Sequence, residues 1–182
     1  IPYRETAVDR SNSFAGKTKI MWSVDQAKVR DGTVYWAFTK IGSYTQSPPQ
    51  EGYFLASPNL LTESDPTKIR WDLLPDGDHG PGPVGAQCAF PSNASDCVAE
   101  EWHIIPLTLT KGFFAVFRTT QGFLGSARTA DPSGRTGWQP STYAQYTHRF
   151  QPSALKNPRG PITLKRFSNG KYLMLWYNDG SA

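Results

Sequence analysis

The chain has 182 residues, with 19 Lys and Arg against 15 Asp and Glu, a net charge of +4. Gly and Pro number 16 and 15, and the aromatics are 6 Trp, 8 Tyr and 10 Phe. So many helix breakers argue against a helical bundle, and so many aromatics with so little net charge argue against disorder. No apolar stretch approaches the roughly 20 residues of a membrane span. The densest basic group, Lys156, Arg159, Lys165 and Arg166, is interleaved with apolar residues. That is too sparse for a nucleic-acid stripe.

Along the chain, residues 1–14 read as an N-terminal extension or a linker from a preceding unit. They lack the apolar core of a signal peptide, so a secreted protein would carry its signal outside this sequence. The first apolar run, Lys19-Ile20-Met21-Trp22-Ser23-Val24, leads to Asp31-Gly32 and then to Val34-Tyr35-Trp36-Ala37-Phe38. A polar residue followed by Gly accepts the positive φ of a hairpin turn, so the pattern is strand, turn, aromatic strand. It recurs twice: Trp102 to Leu107, Lys111-Gly112, Phe113 to Phe117; then Pro161 to Leu164, Asn169-Gly170, Tyr172 to Trp176. In all three copies a second Gly follows the first by ten residues, at Gly42, Gly122 and Gly180. A third strand follows in the first two copies, at Gly52 to Ser57 and Phe123 to Arg128. A fourth segment is expected at Ile69 to Leu74 and near Trp138-Gln139-Pro140.

Repeated units of four antiparallel strands predict an all-β fold of the β-propeller type. The units span approximately 15–80, 98–150 and 157–182, about two and a half to three blades of a probable six, within a partial propeller domain at 15–182. A closed propeller needs at least four blades. The remaining blades would come from the same polypeptide or another chain.

Cys88 and Cys97 enclose a short polar loop containing Asn93-Ala94-Ser95, an N-glycosylation acceptor. A Cys88–Cys97 disulfide and a glycan on Asn93 both point to an oxidising, extracellular compartment. Asp76-Gly77-Asp78-His79-Gly80 lacks the rest of a calcium-ligand series and reads as a turn. Gly16-Lys17-Thr18 lacks the first Gly of a phosphate loop. His79, His103 and His148 show no metal-ligand spacing, so neither metal nor cofactor is expected.

Thr129-Ala130-Asp131-Pro132-Ser133-Gly134-Arg135-Thr136-Gly137-Trp138 resembles the Asp-box hairpin of sialidases and related BNR-repeat propellers. An Asp side chain there bonds the N–H groups of its own turn, a Gly takes the left-handed position, and the Trp staples the turn. One residue is inserted between Asp131 and Gly134, and Gly137 separates Thr136 from Trp138. Ser57-Pro58-Asn59 through Trp71 is a remnant of the same motif. The second unit, from Glu100-Glu101 through Arg118 to this turn, resembles one sialidase blade, and Asn157 to Leu164 resembles the next.

Position within the repeat places Glu101, Arg118 and Arg159 on one rim. Glu101 and Arg159 both lie 11 residues before their Gly turns, and Arg118 ends the antiparallel partner strand. Phe38 and Trp176 hold the slot equivalent to Arg118. The resemblance implies that Arg118 grips a substrate carboxylate and that Glu101, or Glu100 if the register slips by one, polarises a tyrosine nucleophile. Arg159 is assigned to the same ligand from its position, and His103 to the same rim. Tyr3, Tyr143 and Tyr146 are not in contexts that match the nucleophile. The implied protein is a secreted sialidase-like glycoside hydrolase acting on anionic glycans. A non-catalytic carbohydrate-binding propeller or a structural extracellular one is the alternative.

Overall fold

A computed structural model describes residues 19–20, 23–41, 50–77, 80–82, 84, 98–148, 151–157 and 160–177. The described residues form antiparallel sheets with a single 3-10 turn at Pro66–Lys68 and no α-helix. No described helix is long and apolar enough to cross a membrane.

The first sheet contains β1 (Lys19–Ile20), β2 (Lys28–Arg30), β3 (Thr33–Ile41), β4 (Glu51–Ser57) and β5 (Asp72–Leu74). Asp31 and Gly32 both have positive φ, 50° and 78°, which matches the hairpin's twist and joins β2 to β3 tightly. Of the apolar run expected as the first strand, Lys19 and Ile20 form β1 and Ser23 and Val24 are not strand, while the strand that leads into Asp31-Gly32 is β2, beyond that run. β1 pairs with the far end of β3 at Ile41 and Lys40, whereas β2 pairs with its near end. Residues 23–27 leave the ladder between them. There the Asp25 side chain, instead of a strand, takes the N–H of Ala37.

The second sheet is a four-stranded meander in the order β6 (Glu100–Pro106), β7 (Phe113–Arg118), β8 (Leu124–Thr129) and β9 (Thr142–Tyr143). Its last strand falls beyond the expected Trp138-Gln139-Pro140, because Trp138 is used to close the preceding turn. β10 (Gln145–His148) and β11 (Gln151–Ala154) form a hairpin that the repeat did not announce. β12 (Ile162–Arg166) and β13 (Tyr172–Trp176) form the last hairpin.

The second sheet is covered on both faces, so β6 is buried from Trp102 onward and β7 is apolar at every position but Arg118. Alternation sends Trp102, Ile104, Phe113, Ala115 and Phe117 toward the first sheet, where they meet Tyr35, Ala37, Phe54 and Leu74. Ile105, Val116 and Leu124 face the other way, onto Leu155, Ile162 and Leu164. Trp102 stacks on Phe117 with ring centroids 4.1 Å apart. Both rings are buried. Arg30 ties the first sheet to the turns of the second. Its guanidinium donates to the carbonyls of Lys111 (2.5 Å), Gly112 (2.9 Å) and Pro132 (2.5 Å) and lies 4.4 Å from the Phe113 ring centroid.

Trp102→Ala removes the largest ring between two sheets and leaves a cavity. It is expected to cost about 3–5 kcal/mol, read as a lower urea midpoint with an unchanged slope.

Candidate functional site

The Glu100 end of β6 and the Arg118 end of β7 are brought together by antiparallel pairing, with Glu100 and Arg118 directly opposite. The ladder is irregular between Glu100 and His103. Glu101, at φ 54°, sits in the left-handed region that costs a non-glycine residue about 1 kcal/mol or more. The consequence is that two consecutive carboxylates, which a regular strand would point to opposite faces, reach one guanidinium. Arg118 pairs with Glu100 Oε2, and its Nη1 lies 3.5 Å from Glu101 Oε1. All three side chains are partly exposed, Arg118 at 19%. The choice between Glu100 and Glu101 therefore does not depend on register: both face Arg118.

Gln50, just before β4, crosses from the first sheet to this group. Its Nε2 donates to Glu100 Oε1 at 3.0 Å, and its Oε1 accepts from Ala99 N at 3.2 Å. Nothing in its sequence context marks it, because the link is made only when two sheets pack. Trp176 stands opposite Ile162 at the start of β12, as Arg118 stands opposite Glu100. Arg159, Cys88, Cys97 and Asn93 lie outside the described residues.

His103 is not at the rim. Its side chain is 2% exposed and its Nδ1 lies 3.1 Å from Asp25 Oδ1. It lies in the buried stretch of β6, opposite Val116. Asp25 also pairs with Lys28 and accepts from Ala37 N at 3.0 Å. Burial pushes the Lys28 amine below its ordinary value, against the opposing pull of the Asp25 carboxylate. No local sequence pattern marks this buried Asp25–Lys28–His103 group, since Asp25 and His103 are 78 residues apart. No group of three or more His, Cys, Asp or Glu able to hold a metal is present among the described residues.

The turn at Asp131 has the internal geometry that its residues predict. The carboxylate accepts from the N–H groups of Ser133 (2.9 Å), Arg135 (3.1 Å) and Thr136 (2.9 Å) and from the Ser133 and Thr136 hydroxyls. Gly134 takes φ 72°. Trp138 Nε1 closes the turn on Gly134 O at 2.9 Å, and its ring meets Phe54 edge-on at 5.9 Å. Desolvation works to raise the Asp131 carboxyl, but the Ser133 and Thr136 hydrogen bonds together outweigh it and hold it at about 2. Arg135 reaches back to Asp76 (2.8 Å) and Asp72 (3.0 Å), binding the turn to the first sheet. In the first unit Asn59 Oδ1 accepts from Arg70 N at 2.9 Å, a partial counterpart.

No protein family matches the sequence, and no curated protein matches it significantly. Among solved structures, an exo-beta-1,3-galactanase from Phanerochaete chrysosporium with galactose is similar over 84% of this chain and 31% of its own, with a TM-score of 0.48 and 14% identity. A variant of that enzyme with beta-1,3-galactotriose gives a TM-score of 0.48 and 13% identity over the same shares. The chain thus spans about a third of the length of these proteins.

Asp25→Ala strands the Lys28 ammonium and the Ala37 N–H in the interior. A loss of about 3–5 kcal/mol is expected, measured by denaturant unfolding. For Asp131 the folded pKa lies below the unfolded one. Its contribution is fully present above about pH 4 and is lost as pH falls toward 2. Amide exchange at Ser133, Arg135 and Thr136 is expected to quicken over that window. Asp131→Asn should show fast exchange at neutral pH with no further change there.

Proposed function

We propose that this chain is part of a secreted, sialidase-like β-propeller that hydrolyses glycans bearing an anionic group. The observation that carries the reading is the convergence of Glu100 and Glu101 on Arg118, at the end of two adjacent strands and over a strained bulge. Backbone strain concentrates where a side chain must be aimed rather than merely packed. In this reading Arg118 presents its planar fork to a substrate carboxylate. Glu101, with Glu100 beside it, tunes a tyrosine nucleophile supplied by another blade, and Arg159 of the next unit adds a second cation. Gln50 fixes Glu100 so that the group is formed before ligand arrives.

The propeller part of the reading is supported by successive antiparallel sheets packed face to face and by the Asp131 turn between β8 and β9. β13 ends its sheet with Tyr172, Leu175 and the adjacent Tyr177 exposed. Further strands from the same polypeptide or another chain would cover them. The extracellular part rests on Cys88, Cys97 and Asn93.

A non-catalytic carbohydrate-binding propeller is the second reading. It is favoured by Arg118 already being balanced by two carboxylates, as in a structural ion pair.

Fluorogenic sialosides and sialoside binding, measured on the polypeptide that contains this chain, test both. Arg118→Ala is expected to lose binding and turnover by a factor of about 100 or more, the scale of a lost charge-assisted bidentate contact. Glu101→Gln is expected to lower kcat while leaving binding within a few-fold. Retained turnover in both Glu100→Gln and Glu101→Gln would remove the hydrolase assignment of these residues. Unchanged sialoside binding by Arg118→Ala would sink both readings.

A further inference from the structure

A second cavity opens at the other end of β6. Pro106 lies five steps along β6 from Glu101, about 17 Å at the usual rise, so this site is distinct from the Arg118 group. Its volume is about 370 Å3, and it lies between the β2 segment, Pro106 and the end of β12. Such a volume is in the range of small-ligand pockets.

Its charge is of one sign. Lys28, Lys165 and Arg166 line it, and no carboxylate among the described residues does. Lys28 is held by Asp25 behind the wall, so the free charge comes from Lys165 and Arg166. Arg166 Nε is buried and has no hydrogen-bond partner among the described residues. The buried Nε sets the guanidinium into the wall of the cavity that Arg166 lines. Next to it Phe167 is 42% exposed, whereas Phe38, Phe54, Phe113 and Phe117 are buried. Gln26 and Ser168 add exposed neutral hydrogen-bonding groups. Two cations, an accessible aromatic ring and neutral amide and hydroxyl groups together suit a ring that is hydroxylated, apolar on one face and negatively charged.

We propose that this cavity binds a single anionic saccharide unit, carrying a carboxylate or a sulfate. Arg166 and Lys165 hold the anion, the Phe167 ring lies against the sugar, and Gln26 and Ser168 meet its hydroxyls. The site would hold a charged glycan at the end of the fold remote from Arg118, and it does not depend on the hydrolase reading.

The test is calorimetric titration of the full polypeptide in an Arg118→Ala background, which removes the contribution of the other group. The probes are a glucuronate-containing disaccharide, a 6-sulfated neutral disaccharide, unmodified lactose and inorganic sulfate. Saturable binding of at least one anionic disaccharide is expected, with lactose and inorganic sulfate each weaker by about tenfold or more. Arg166→Ala and Lys165→Glu are each expected to weaken it by about tenfold. Phe167→Ala should weaken saccharide binding and leave inorganic sulfate unchanged. Lys165 and Phe167 are exposed, so those two variants keep the test sound if Arg166→Ala fails to fold. Lactose binding as tightly as the charged sugars would overturn the proposal. So would inorganic sulfate matching the sulfated sugar, or Lys165→Glu and Phe167→Ala both binding like the parent.

Discussion

The arrangement of the first two sheets turns on one buried carboxylate. Asp25 is withdrawn from solvent, and an isolated charge there would be prohibitively costly. It is tolerated because every direction around it is answered: Lys28, His103 and the N–H of Ala37. Ile104 N points at the same carboxylate from 3.5 Å. β4 pairs one edge of β3 at Ala37, but neither β1 nor β2 reaches that residue on the other edge, and Asp25 supplies the acceptor there. The same side chain then reaches His103 on β6, so one group closes a gap in one sheet and docks the next. Ser23 reinforces the join by bonding the Ala37 carbonyl.

With that edge fixed, the rest of the packing follows from alternation. β6 and β7 are covered on both faces, so each successive side chain meets a different neighbour. Trp102 and Phe117 serve one interface, Ile105 and Val116 the other. Arg30 does for the outer turns what Asp25 does for the inner edge. It answers a cluster of carbonyls with one delocalised cation and lays its face over Phe113. The first two sheets are therefore joined by a buried anion at one place and a buried cation at another, with aromatic rings between.

The Glu100–Glu101–Arg118 group depends on this frame. A bulge is stable in β6 because the residues after it are locked on both sides, and Gln50 reaches Glu100 only because the first sheet is docked. The irregularity brings Glu101 beside Arg118, whereas His103, further along β6, is buried against Asp25.

Much of this was legible in the chain. Asp31-Gly32 and Asn169-Gly170 announce their hairpins, because few other residues accept positive φ. The return of Arg118 to the level of Glu100 follows from counting along antiparallel strands. The bonds within the Asp131 turn are local, spanning at most five residues between Asp131 and Thr136. What the sequence alone determined was thus whatever short-range sterics and period-two alternation control. Only the tertiary structure decided the departure of residues 23–27 from the ladder around Asp25, the burial of His103, the link through Gln50 and the charge of the cavity beside Arg166. Each of these depends on groups tens of residues apart being forced together by burial. Their energies come from desolvation and from long-range partners, which no local pattern of residue types records.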